Sequence, residues 1–76
     1  MPDSDEILDV RGLLCPLPVL KARKRLMAMD PGRVLLVQAT DPASVIDVPH
    51  YCNESGNQLV EHSTDGDTHN YWIRRT

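Results

Sequence analysis

Phenylalanine is absent from the chain, and one Trp and two Tyr bring the aromatics to only 4%. Any core must therefore be assembled from Leu, Val, Ile, Met and Ala, and a large enclosed cofactor pocket is not expected. Cysteine occurs twice, too rarely for the disulfide framework of a small secreted scaffold, and thiols inside cells are normally kept reduced. No apolar run approaches the roughly 18 residues that a membrane span needs. The opening Met1-Pro2-Asp3-Ser4-Asp5 is acidic, where a signal peptide would be basic and then apolar. A soluble, cytoplasmic protein is expected. The formal net charge of -3 argues against direct nucleic-acid binding through phosphate contacts. His50, His62 and His69 lack the close ligand pairing of a zinc site, so neither a metal nor a cofactor is expected.

What is present fits one small domain. A chain of 76 residues buries only about 60% of its unfolded surface and has no room for a second core. Residues 1–5 read as a flexible polar tail and residues 6–76 as the domain. Lys21, Arg23, Lys24 and Arg25 crowd half of the eight Lys and Arg into five positions, a basic patch on an acidic protein.

Ile7 to Val10 alternates as a short strand with Leu8 and Val10 inward, and Arg11-Gly12 breaks it. From Pro18 to Met29, the spacing of Val19, Ala22, Leu26 and Met29 predicts an amphipathic helix whose stripe is widened by Leu20 and Met27, stopped by Asp30-Pro31-Gly32. Val34 to Thr40 is a Val- and Leu-rich run suited to an interior strand. Asp41, as N-cap, and Pro42, at the first helical position, open a second helix that ends at Gly56-Asn57. Its apolar stripe is read as Val45, Val48, Pro49 and Cys52, with a kink or split expected at Pro49. Gln58 to His62 and Thr68 to Arg75 read as strands joined around Asp65-Gly66, a strong hairpin signal. The order βαβαββ implies a right-handed parallel crossover followed by an antiparallel hairpin. The expected fold is an α+β two-layer sandwich, a mixed four-stranded sheet with both helices on one face.

Cys15 stands at the junction of the first strand and the first helix, in Cys15-Pro16-Leu17-Pro18. A thiol reacts as its thiolate, and the positive end of a helix dipole favours that form. Pro16 biases Cys15 toward extended geometry, and two prolines in a first turn lose no intrahelical bond. Leu17 and Val19 are then the backbone donors expected to face the sulfur. The eight residues Arg11-Gly12-Leu13-Leu14-Cys15-Pro16-Leu17-Pro18 resemble the signature of the TusA-like (SirA-like) sulfurtransferase family. Asp41-Pro42-Ala43, the stretch from Asp47-Val48-Pro49 to Cys52, Asp65-Gly66 and Tyr71-Trp72-Ile73-Arg74-Arg75 extend the similarity over almost the full length.

The resemblance implies a sulfur carrier in which the cysteine matching the family's CPxP position, Cys15, accepts sulfur as a persulfide. The donor would be a protein such as a cysteine desulfurase or rhodanese, and the acceptor another protein. Gly12, Pro16 and Pro18 would support the motif. Family members feed tRNA thiolation, molybdenum cofactor synthesis and sulfur oxidation, so the resemblance does not select a pathway. Lys21, Lys24 and Arg25 recur on one exposed face beside Cys15 and could dock acidic partner surfaces, whereas Arg23 falls in the apolar arc and must snorkel or reach the site's edge.

Two rival functions are open at this stage: a regulatory or adaptor module that binds through the basic helix without carrying sulfur, and a redox switch pairing Cys15 with Cys52. Cys52 lies within the apolar stripe and reads as a core residue. Asp9, Asp41 and Asp47 read as strand-flank, capping and surface acids. A monomer is expected of a carrier that presents one thiol to two successive partners.

Overall fold

The computed structural model describes residues 3–76. Strand β1 (Glu6–Asp9) leads through the Cys15 loop into helix α1 (Leu17–Met27), then come β2 (Val34–Ala39), helix α2 (Ser44–Ser55), β3 (Gln58–Asp65) and β4 (Thr68–Arg74). The sheet order is β1-β2-β4-β3. β1 pairs parallel to β2, and β4 lies between β2 and β3, antiparallel to both. This is the expected mixed sheet. Of the tail expected over residues 1–5, Met1 and Pro2 lie outside the described residues. Asp5 is tied to β2: its N–H donates to the Val34 carbonyl at 2.8 Å, and its carboxylate accepts the Val34 N–H at 2.8 Å.

Strand alternation explains where the core sits. Leu35, Val37 and Ala39 point to one face of β2, opposite Ile73, Tyr71 and His69 of β4. Leu35, Val37, Ala39, Tyr71 and Ile73 pack in one buried cluster with Ala22 and Leu26 of α1 and Val48 and Cys52 of α2, so both helices cover the same face. Fully burying a side chain of Val or Leu size contributes about 1.5–3 kcal/mol. Val34 and Trp72 alternate to the opposite face and are also buried. The scarce aromatics therefore carry more of the packing than their number suggests, Tyr71 being 0% and Trp72 3% exposed.

The first helix keeps the expected stripe, with Ala22, Leu26 and Met29 buried and Val19 packed against them, but not its widening, and the second is rotated from the sequence reading. In α1 the inward positions are Pro18, Ala22 and Leu26, while Leu20 and Met27 are 49% and 64% exposed. At about 100° per residue these two lie well round the helix from Ala22, so they do not widen the buried stripe. The regular helix ends at Met27, and Met29 reaches the core from the turn that follows, where its N–H donates to the Leu26 carbonyl.

In α2, residues 41–43 form a turn rather than the first helical turn: Ser44 N–H donates to the Asp41 carbonyl and Val45 N–H to the Pro42 carbonyl. The helix starts at Ser44 with Ala43, not Asp41, at the N-cap. The buried face becomes Ser44, Val48 and Cys52, and Val45 is 43% exposed. Ser44 is satisfied in the core by a 2.8 Å hydrogen bond with the Tyr71 hydroxyl. The helix runs unsplit through Pro49. The bond that Pro49 cannot make would have gone to the carbonyl of Val45, on the more exposed side of the helix. Gly56 closes α2 at φ +78°, the left-handed geometry that glycine adopts without strain. β3 extends to Asp65, three residues beyond its expected end, because the hairpin loop is only Gly66-Asp67. A positive φ of 59° at Gly66 alone suits a type II′ turn.

Candidate active site

The loop carrying Cys15 leaves β1 beside the carboxyl end of β2 and is held there twice. A turn closes first, Leu13 N–H donating to the Val10 carbonyl at 3.2 Å. Gly12 occupies its third position at φ +82°, as a type II turn requires. Gly12 N–H then donates to Thr40 Oγ1 at 2.9 Å, and Cys15 N–H to Asp41 Oδ2 at 2.7 Å. The other Asp41 oxygen accepts the Ala43 N–H at 3.1 Å. Asp41 is only 6% exposed, so one buried carboxylate joins the cysteine loop to the entrance of α2.

Cys15 itself is exposed. The Cys15–Pro16 bond is cis, and α1 begins at Leu17 with Pro18 buried in its first turn. An open cleft of about 320 Å³ lies beside the cysteine, walled on the α1 side by Pro16 and Val19 and on the α2 side by Asp47, His50, Tyr51 and Glu54. The cleft can seat a short, largely apolar segment of a partner or a small sulfur-bearing group with its reactive atom against Sγ.

The electrostatics of the thiol run opposite to the sequence expectation. The thiol pKa is raised, first by hydrogen bonding of the S–H to the Asp47 carboxylate, then by desolvation, then by the charges of Asp47 and Asp41. A helix end presents about half a positive charge, whereas these acids place full negative charges near the sulfur and stabilise the protonated form. The backbone argument also changes: Leu17 N–H donates to the Leu14 carbonyl at 2.9 Å and is not available to the sulfur.

Lys21, Lys24 and Arg25 do share a surface, a groove that also includes Leu8 and Ala28. Arg25 is not free on it, because its guanidinium pairs with Glu6 at 3.1 Å. Arg23 is exposed and does not line the cysteine cleft; it lines grooves with Met27 and with Tyr51 and Arg75. Cys52 is buried, and burial pushes its thiol up to about 11. It does not line the cleft that holds Cys15, which disfavours a switch between the two thiols. His62 of β3 and His69 of β4 lie together, with Nε2 and Nδ1 3.1 Å apart.

The residues missed from sequence are Thr40 and Asp41 as anchors of the loop, and Asp47, His50, Tyr51 and Glu54 as a wall of the cleft. The wall had a signal: positions 47, 50, 51 and 54 follow the helical spacing of three and four. The anchors had none, since Asp41 looks locally like an N-cap and its partner is 26 positions away.

Comparison with known proteins places these features in a family. The family model described as "Sulfurtransferase TusA" matches residues 6–75. A protein of Allochromatium vinosum named "Sulfur carrier protein TusA" is 45% identical over 76 residues, covering 100% of both chains. One of the same name from Pseudomonas aeruginosa (strain LESB58) is 42% identical over 71 residues, covering 93% of this chain and 90% of its own. The crystal structure of a SirA-like protein from Desulfitobacterium hafniense superposes with a TM-score of 0.81 at 25% identity, covering 91% of this chain and 95% of that one.

Proposed function

The chain belongs to the TusA family, and from that premise we propose that it is a sulfur carrier whose working atom is Sγ of Cys15. The observation that carries this reading is the contrast between its two thiols. Cys15 is exposed in an open cleft, on a loop anchored by Asp41 and Thr40. Cys52 is buried, with its ionisation suppressed.

In loading, the Cys15 thiolate attacks the terminal sulfur of a donor persulfide, R–S–SH. The new bond joins that sulfur to Sγ, the donor S–S bond breaks, and its electron pair leaves on the donor sulfur, which becomes a thiol on taking a proton. Delivery is the same exchange with an acceptor thiolate attacking the terminal sulfur and Cys15 leaving. No external oxidant or reductant enters either step. A raised thiol pKa suits the role: the resting group is mostly protonated and so protected from oxidation, while the thiolate, once formed, is the stronger nucleophile.

Sulfurtransferase activity requires a persulfide donor, such as a cysteine desulfurase or rhodanese, and an acceptor protein. The groove of Lys21 and Lys24 is a docking surface for acidic patches on such partners. Among the described residues no helix is long and apolar enough to cross a membrane. Incubation with a cysteine desulfurase and sulfur-labelled cysteine tests the assignment. Label should appear on wild type and on Cys52→Ser and be absent from folded Cys15→Ser; label retained by Cys15→Ser would overturn it.

A further inference from the structure

The two histidines of the β3–β4 hairpin lack metal-ligand spacing in the sequence because strand pairing, not the local chain, brings them together. They are seven positions apart. His62 stands opposite Tyr71 and His69 opposite Thr64 on adjacent antiparallel strands, which puts both side chains on the face that carries Tyr71, in diagonal positions that ring-sized groups can span. Their nitrogens meet: Nε2 of His62 and Nδ1 of His69 are 3.1 Å apart, with ring centroids 5.3 Å apart. The His62 ring also rests on a fixed support. It stacks on Tyr71 with centroids 4.5 Å apart and planes 16° from parallel, and Tyr71 is fully buried and held through its hydroxyl by Ser44 at 2.8 Å. His62 is exposed and His69 half-buried, so an ion with its waters can reach the pair. Among the described residues no ion pair involves either ring, in contrast to His50, which faces Glu54. The His62 pKa is lowered, first by desolvation and then by His69, which favours the neutral imidazole that binds metals.

The rings satisfy each other when one N–H donates to the bare nitrogen of the other, but the same two nitrogens fit a second occupant. An imidazole nitrogen binds zinc at about 2.0–2.1 Å, and two such bonds at about 90–110° set the nitrogens about 2.9–3.4 Å apart. The observed 3.1 Å falls within that span. We propose that Nε2 of His62 and Nδ1 of His69 chelate a divalent transition-metal ion of the copper and zinc class, with water filling its other positions. Among the described residues no third His, Cys, Asp or Glu completes the set, so water must supply the remaining ligands. The ion takes the place of the ring-to-ring hydrogen bond. The donor ring then carries its proton on its other nitrogen, which leaves a lone pair on each facing nitrogen and releases no net proton. Each ring turns slightly, because the ion lies off the line that joins the two nitrogens. Bound there, it clips β3 to β4 across the hairpin. Neither histidine lines the cleft of Cys15, so this site stands apart from the sulfur chemistry and does not rest on the carrier assignment.

Metal titration of the tag-free full chain tests the site, with Cys15→Ser as the background so that the exposed thiol does not compete as a ligand. Zn²⁺ and Cu²⁺ are added separately in a non-chelating buffer and followed by calorimetry. One ion per chain should bind, Cu²⁺ more tightly than Zn²⁺, the usual order for nitrogen ligands. His62→Ala and His69→Ala should each weaken binding on the order of a hundredfold, because the second ligand of a chelate acts at a high effective concentration. His50→Ala, which removes the histidine outside the pair, should leave the affinity unchanged. Electron paramagnetic resonance of the Cu²⁺ form with both histidines intact should show two imidazole nitrogens on the ion, and this readout stands even if an alanine variant folds poorly. Affinity that survives loss of either histidine, or a Cu²⁺ spectrum with a single imidazole nitrogen, overturns the proposal and leaves the pair as a hydrogen bond between two rings.

Discussion

Replacing Asp41 by Asn should damage the protein far more than its place in a loop suggests. The carboxylate accepts two backbone N–H groups, from Cys15 at 2.7 Å and Ala43 at 3.1 Å, while 6% exposed. Asn keeps one oxygen and turns its NH₂ toward the other N–H, so one bond is lost and the survivor is no longer charge-assisted. A hydrogen bond to a charged group is worth about 1.5–3 kcal/mol and a neutral one about 1 kcal/mol. The expected loss is therefore about 2–5 kcal/mol, against about 4–11 kcal/mol for a whole domain of this size. Since 1 kcal/mol moves the midpoint of such a domain by about 4–8 °C, a drop of at least about 8 °C follows. The single buried Trp72 provides a fluorescence signal for urea unfolding, and the midpoint should fall with little change in slope. Removing the charge also removes the smallest of the causes that raise the Cys15 pKa, so its alkylation profile should move slightly to lower pH. A stability change under about 0.5 kcal/mol would refute the claim that Asp41 anchors the cysteine loop.

Asp47→Asn should move the same alkylation profile to lower pH by more than Asp41→Asn does, because the Asp47 hydrogen bond is the largest cause of the raised thiol pKa; a profile that does not move would remove Asp47 from the site. Cys52→Ser places a hydroxyl in the core and should cost about 1–3 kcal/mol in chemical denaturation while leaving Cys15 reactivity intact. Because folding raises the Cys52 pKa from 9.0 to about 11, the unfolded chain ionises first. Stability should therefore be full below about pH 9 and decline as pH rises toward about 11, and Cys52→Ala should lose that part of the decline. Reversing Lys21 and Lys24 to Glu should barely change the melting temperature but slow sulfur transfer to or from an acidic partner, with a wild-type rate that falls as salt rises. Arg25 is left out of that variant because Glu at 25 would face Glu6.

Features whose causes are local were legible in the sequence. Val34 to Thr40 reads as an interior strand because β2 lies between β1 and β4 and sets Leu35, Val37 and Ala39 against the core. Gly12, Gly56 and Gly66 mark turns and a helix end because each takes a positive φ. The placement of Cys15 between β1 and α1 follows from Gly12 and the two prolines. Features set by tertiary contacts were hidden. Asp41-Pro42 has the local form of a helix start, yet Asp41 is engaged by a backbone N–H across the fold, so the helix begins later and Ser44 turns inward to Tyr71. The sign of the Cys15 perturbation was misread for the same reason. The dipole of α1 is visible in the chain, but the carboxylates that outweigh it arrive from β2's end and from α2.

The central claim is that Cys15 both takes up and gives up sulfur. The most direct measurement loads the purified protein with a cysteine desulfurase and cysteine, removes the donor, and maps the mass of each cysteine peptide before and after adding an acceptor thiol. The account predicts one added sulfur on the Cys15 peptide, none on the Cys52 peptide, and loss of the Cys15 sulfur as the acceptor gains it. Sulfur on Cys52, or sulfur on Cys15 that no acceptor can remove, would contradict it.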